Sequence, residues 1–423
     1  MMIRSKMRNR FLTGILATSM MMVTACGGGG SQTTSGGSGS TDAKPAEQGA
    51  PAAENKSPIK IGIVTSKTGV LEAYGNQMLN GFEIGLDYAT GGTREIDGRK
   101  IEIVVEDTQT KPDIAVQKAT KLLEQDNVDV LVGSASSADT LAILPLVEEF
   151  EKVMVVEPAV ADSITGSEWN RHIFRTARNS SQDAAAGAAA IAKPGVKIAT
   201  LAPDYAFGHD GTAAFVKIAK ELGAEIVLEE FADPKATDFT ANVQKIVEAK
   251  PDFVFVIWSG ANAPWKTLMD MKLPEKGIKI STGAPDIAGL KTMNNLDGME
   301  GFTVYYHELP NNKVNDFLKE EHQKRYNSVP DLFTAGGMSS AIAVVEGIKK
   351  AGSTEADKLI SAMEGMEFET PKGKMMFRAE DHQALQTLYA IKLEKQEGKD
   401  YLVPTLIREL SPEETVPPIQ NKK

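Results

Sequence analysis

A single cysteine in 423 residues, Cys26, leaves no partner for an intrachain disulfide and no thiolate cluster for a metal. Histidine is almost as sparse. His172, His209, His307, His322 and His382 show no metal-ligand spacing of the H-E-x-x-H kind. No G-x-S-x-G elbow, Walker loop or G-x-G-x-x-G turn follows a strand pattern, so nucleophilic catalysis and nucleotide binding both lack a motif. The acid pairs Glu148-Glu149 and Glu320-Glu321 fall in helical patterns and read as solvated faces. No enzymatic activity, metal or cofactor is expected. The net charge of −11 comes without a basic stripe, which argues against nucleic acid. Past the N-terminus, no apolar run approaches the ~20 residues a membrane-spanning helix needs.

What is present begins with an address. Arg4, Lys6, Arg8 and Arg10 precede an apolar stretch from Phe11 to Ala25. About 15 residues is the length of a signal-peptide core. It ends in Val23-Thr24-Ala25-Cys26, a string that looks like a bacterial lipobox. Residues 1–25 are therefore expected to be a lipoprotein signal peptide, and Cys26 the acylated anchor (palmitate among its chains) of an outward-facing protein on the cell surface or in the periplasm. Acyl chains contribute about 0.8 kcal/mol per buried methylene, so two or three of them hold a protein stably. Residues 26–57 carry almost no large apolar side chain and cannot offset their ordering entropy, which predicts a flexible linker.

The remaining ~365 residues exceed one ordinary core and suffice for two lobes. Strand patterns over 59–64, 100–106, 129–133 and 153–156 alternate with helical patterns over 74–89, 112–125 and 140–151. A second series runs through strands at 196–201, 225–228, 252–258 and 278–282, with helices between them. Such alternation predicts parallel sheets with helices on both faces. The last third changes character. Helical patterns over 315–325, 334–351 and 355–363 precede strands over 373–377, 386–394 and 401–406. The fold class expected is α/β, two doubly wound parallel-sheet lobes between which the chain crosses more than once.

Several short motifs recur in a telling order. They are 59–64, Thr68-Gly69, Tyr74-Gly75, Gly81, the segment 103–133, Ser136-Ser137, Glu157-Pro158-Ala159, Arg175-Thr176 and Tyr205-Ala206-Phe207-Gly208. Together the chain from 58 to about 395 resembles the leucine/isoleucine/valine-binding proteins, within the type I periplasmic binding proteins. The resemblance implies two lobes joined by a three-strand hinge, 58–177 plus 307–380 and 178–306 plus 381–410, with 411–423 as a C-terminal tail. Crossovers would lie near 176–179, 305–308 and 378–382. It also implies a monomer that closes on a small solute and delivers it to the permease subunits of an ABC importer.

The candidate site residues all follow the carboxyl ends of strands, where open parallel sheets bind ligands. Ser136 and Ser137 open a helix, a place that suits either a helix cap or a ligand carboxylate. The resemblance gives Ser137 the carboxylate. It makes Ala159 the small residue that lets ligand approach backbone, and Tyr74, Phe207 and Phe333 the aromatic walls. Ala161 stands where the amino-acid binders usually carry threonine, which removes one donor. Trp258 offers a further face, and Tyr205 a substitute hydroxyl. Asp286 stands within one residue of the family's ammonium-pairing glutamate, although a loop aspartate also caps helices. A branched-chain or related amino acid is the implied cargo. An aromatic acid, an amide or a urea-like solute, or a role as ligand-binding subunit of a sensory receptor, are the alternatives.

Overall fold

The computed structural model describes residues 56–259 and 262–421. The expected signal peptide, Cys26 and the linker up to residue 55 lie outside the described residues. A β-branched run without alternation needs cover on both faces, and the chain provides it by interleaving helices. The first series is β1 (Ile59–Thr65), α1 (Glu72–Ala89), β2 (Glu95–Ile96), β3 (Arg99–Asp107), α2 (Pro112–Thr120), β4 (Val130–Gly133), α3 (Ser137–Glu149), β5 (Val153–Val156) and β6 (Ile173–Arg175). The second is α4 (Ser180–Ile191), β7 (Lys197–Pro203), α5 (Ala206–Glu221), β8 (Glu225–Ala232), α6 (Thr240–Ala249), β9 (Phe253–Val256), α7 (Trp265–Asp270), β10 (Lys279–Thr282), α8 (Ile287–Lys291) and β11 (Glu300–Thr303). Helices α9 (Lys313–Tyr326), α10 (Leu332–Ala351) and α11 (Ala356–Met363) follow. The chain closes with β12 (Glu367–Thr370), β13 (Gly373–Phe377), β14 (Ala384–Leu385), β15 (Leu388–Glu394) and β16 (Val403–Leu410).

The first lobe's sheet has the order β2-β3-β1-β4-β5-β6 and is parallel except for the β2–β3 hairpin. The second lobe's parallel sheet is β10-β9-β7-β8, extended past β10 by a Gly283–Phe302 bridge to the antiparallel set β11-β15-β16. In each lobe the strand order reverses once, between β1 and β4 and between β7 and β9. A reversal of that kind opens a crevice at the strands' carboxyl ends.

Both faces of each sheet are dry. Ile61 and Ile63 meet Phe82 and Met338 on one side of the first sheet, while Val64 and Leu131 meet Leu122 and Ile143 on the other. In the second lobe Leu201 and Val254 pack with Phe239 and Ile246, and Phe255 stacks on Phe215 at 3.9 Å on the opposite face. Helix α10 is buried nearly all round, as its lack of charged residues before Glu346 requires. It crosses α1 at glycines. A Cβ on Gly81 would lie 1.9 Å from the Thr334 carbonyl oxygen, and one on Gly337 would lie 2.0 Å from that of Met78.

The late helices and strands divide as their packing dictates. Phe368, Met375, Phe377 and Ala384 join the first lobe's core, while β15 and β16 join the second sheet. Strand β14, which follows the crossover expected over 378–382, pairs with β13.

Candidate functional site

The two reversal points face each other across one cavity of about 100 Å³, counted as room for the centre of a water molecule. That scale suits a single compact solute, since an engineered apolar cavity of about 150 Å³ takes up benzene. First-lobe walls come from the starts of α1 and α10 and the loops after β4 and β5; second-lobe walls come from the start of α4, the loop between β7 and α5, and the ends of β9, β10 and β11. Of the residues singled out in the sequence, Tyr74, Ser137, Ala159, Tyr205, Phe207, Trp258, Asp286 and Phe333 all line it.

Ser136 and Ala161 stand outside the lining. Ser136 is spent as the cap of α3, its hydroxyl accepting from the Asp139 amide at 3.3 Å. Ala161 is fully buried behind the wall and acts through its backbone: its N–H donates to the Ser137 hydroxyl at 3.2 Å, and its carbonyl accepts from the Arg175 guanidinium at 2.6 Å. With that oxygen engaged as an acceptor, the Ser137 hydroxyl keeps its proton for another partner. It stands at the first turn of a helix of 13 residues, whose dipole favours an anion.

The apolar walls are rings. Tyr74 and Phe333 lie 3.9 Å apart, centroid to centroid, at an interplanar angle of 31°. Tyr205 and Phe207 are 5.8 Å apart, and Trp258 is held edge-on by Phe239 at 5.1 Å. The Tyr205 hydroxyl meets the Ser259 hydroxyl at 2.5 Å, and burial pushes its pKa up to about 12. It therefore serves as a neutral donor or acceptor.

Asp286 caps α8, accepting from the Gly289 amide at 3.0 Å and, across the cleft, from the Gln77 side chain at 3.2 Å. Burial raises its pKa against both hydrogen bonds. Sequence reasoning passed over four further residues. Gln77 and Asp331 meet Asp286 from the first lobe. Arg178 and Asp183 line the cavity as a side-by-side ion pair at 3.1 Å. The capping box Asn179-Ser180-Ser181-Gln182 was the available signal for the last pair, because it starts a helix directly after a crossover.

The lobes are shut over this cavity. Ser163 donates its amide and hydroxyl to Asp210 of α5 at 2.8 and 2.7 Å, and the Ile287 amide donates to Asp331 at 2.9 Å. Among the described residues no helix is long and apolar enough to cross a membrane, and no group of three or more acidic, histidine or cysteine side chains is placed to hold a metal.

Residues 58–399 match the sequence profile of a family described as periplasmic binding protein. A solved structure from Rhodopseudomonas palustris CGA009, described as an ABC-type branched-chain amino acid transporter, is 50% identical, covers 86% of this chain and 100% of its own, and has a TM-score of 0.76. A solute-binding protein of an ABC transporter from Rhodopseudomonas palustris BisB5, solved with 3,4-dihydroxybenzoic acid, is 28% identical over 84% of this chain and 97% of its own, with a TM-score of 0.75. A leucine-, isoleucine-, valine-, threonine- and alanine-binding protein of Pseudomonas aeruginosa is 24% identical over 75% of this chain and 85% of its own length.

Proposed function

The chain belongs to the periplasmic binding protein family, and from that premise we propose that it is the extracytoplasmic receptor of an ABC importer for an apolar α-amino acid, branched-chain or aromatic. One observation carries this reading. One cavity between the lobes presents the Ser137 hydroxyl at a helix N-terminus, the Asp286 carboxylate, and ring faces on both lobes. Those features complement a carboxylate, an ammonium and an apolar body. The lobes of the receptor comprise 58–177 plus 307–380 and 178–306 plus 381–410. As a monomer it would hand its cargo to the permease in the closed form.

A second reading, an aromatic acid without an ammonium, is favoured by the number of rings in the walls. Calorimetric titration against leucine, isoleucine, phenylalanine, benzoate and hydroxybenzoates separates the two. The expected result is binding of at least one amino acid, weakened about tenfold by Ser137→Ala through loss of a charge-assisted hydrogen bond. Absence of binding to every acid in the panel overturns both readings.

The anchor belongs to the proposal too. Cys26 is expected to take up labelled palmitate in cells, and Cys26→Ala to abolish labelling and release the protein from membranes. Labelling that survives the substitution refutes the assignment.

A further inference from the structure

We infer that Asp331, together with Asp286, decides which solutes the closed cleft accepts: closure sets a carboxylate from each lobe against the same Gln77 amide, so the cleft must shut on either a cationic group or a proton. The inference rests on the reading of the cavity as an acid-binding site and adds the second carboxylate, which no part of that reading requires.

The geometry joins the two lobes. Gln77 of α1 donates one amide nitrogen to Asp286 at 3.2 Å and to Asp331 at 3.4 Å, while its carbonyl accepts from the Phe333 amide at 3.3 Å. Asp331 is the cap of α10 in the first lobe. One of its oxygens accepts from the Leu332 amide at 2.8 Å, and the other accepts from the Ile287 amide of the second lobe at 2.9 Å. Asp286 is buried at the cap of α8 and lines the cavity. A single neutral amide group thus bridges two like charges, and an amide nitrogen cannot neutralise either.

Among the described residues nothing else nearby does so. The groups facing the pair are Gln77 on α1, the amides of Ile287 and Gly289 on α8 and the Leu332 amide on α10; the Tyr305 and Tyr306 hydroxyls of the middle crossover are engaged by Asn315 at 2.7 Å and Tyr401 at 3.2 Å. Burial raises both tyrosines, so they stay neutral in the physiological range. Among the described residues no lysine or arginine acts on either carboxylate. Burial, and then the charge of Asp286, push Asp331 up to about 7, while burial raises Asp286 as well. Sharing one amide donor, the two carboxylates are linked, and the shut cleft takes up a proton more readily than the open one.

The sign follows. Opening separates the carboxylates and returns them towards ordinary values near 3.8. Between that value and about 7, the closed state binds more protons than the open one, so acidification favours closure. An ammonium replaces the proton and cancels the dependence. A ring acid lacking an ammonium must bring the proton with it.

The experiment is calorimetry on the full chain at pH 7.5, 6.5 and 5.5 with phenylalanine and with 4-hydroxybenzoate. It is paired with small-angle scattering of the ligand-free protein at the same pH values. Benzoate-class binding is expected to tighten by up to tenfold per pH unit of acidification, the limit for one linked proton. Amino-acid binding should stay within about threefold, on the same linkage. Asp331→Asn keeps a good helix cap. It should flatten the benzoate slope, weaken amino-acid binding and tighten benzoate binding at pH 7.5. Ligand-free wild type should contract on acidification and Asp331→Asn should not. Equal slopes for both ligand classes, or a radius that responds identically in wild type and variant, overturn the inference. If no acid binds at all, the cavity reading fails, and the ligand-free scattering still decides whether the carboxylate pair is proton-linked.

Discussion

Replacing Arg175 with methionine is expected to lower the melting temperature by roughly 5–10 °C, the consequence of losing about 3–5 kcal/mol. Arg175 ends β6 and is fully buried. Its guanidinium donates to the Ala161 carbonyl at 2.6 Å, the Thr165 hydroxyl at 2.5 Å and the Gln383 side-chain carbonyl at 2.6 Å. Gln383 in turn donates to the Ala177 carbonyl at 2.8 Å, so one cation ties the loop behind the cavity to two interlobe crossovers. Burial lowers its pKa to about 10, which still leaves it charged at neutral pH. Methionine fills much of the volume but removes three charge-assisted hydrogen bonds to buried acceptors, each worth about 1.5–3 kcal/mol. Release of a desolvated charge offsets part of that sum. Lysine should recover less than half, because an ammonium cannot reproduce the planar fork. Differential scanning calorimetry of both variants checks the order wild type, lysine, methionine. A methionine variant that melts with wild type would mean the guanidinium holds nothing together.

Much of this architecture is legible in the residues because the two signals that specify it are local. The β-branched run over 59–64 and the apolar spacing after Tyr74 each announce an element, and their alternation announces a parallel sheet. The observed β1, α1, β3, β5 and β13 fall on those patterns. Helix α4 escaped because Ala-Ala-Ala-Gly-Ala-Ala-Ala has no periodicity; alanine gives propensity without marking a face. Strands β6 and β11, of three and four residues, are set by pairing rather than by sequence. The walls of the cavity follow from where strands end, so eight of the residues singled out converge there. Ser136 and Ser137 could not be separated from sequence, since a hydroxyl that caps and one that faces a cavity obey the same local rule. Gln77 and Asp331 become visible only when the lobes are brought together, and Arg178 and Asp183 only through the capping box beside them. They are polar residues on helix starts that would be unremarkable on an open surface.

That dependence on closure decides what a wall substitution measures. Tyr74→Ala is expected to weaken binding of any solute with a ring or branched body by about 30–100-fold, while changing stability by under about 1 kcal/mol. Tyr74 is half-buried at the start of α1, so truncation leaves little cavity in the first lobe itself. Its ring stacks on Phe333, which is buried at the start of α10, and both rings face the cavity. A ligand that covers about 80–100 Å² of that face gains about 2–2.5 kcal/mol at 25 cal/mol per Å². The ring pair adds about 0.5–1.5 kcal/mol of its own. Phe333→Leu should cost less by itself, because leucine keeps much of the apolar volume and loses only the stacking partner. The double variant should then be less damaging than the sum of the singles, since the two rings present one surface. Strict additivity in calorimetric titrations would show that they contact the solute independently. An unchanged dissociation constant in Tyr74→Ala would remove the aromatic wall from the binding site.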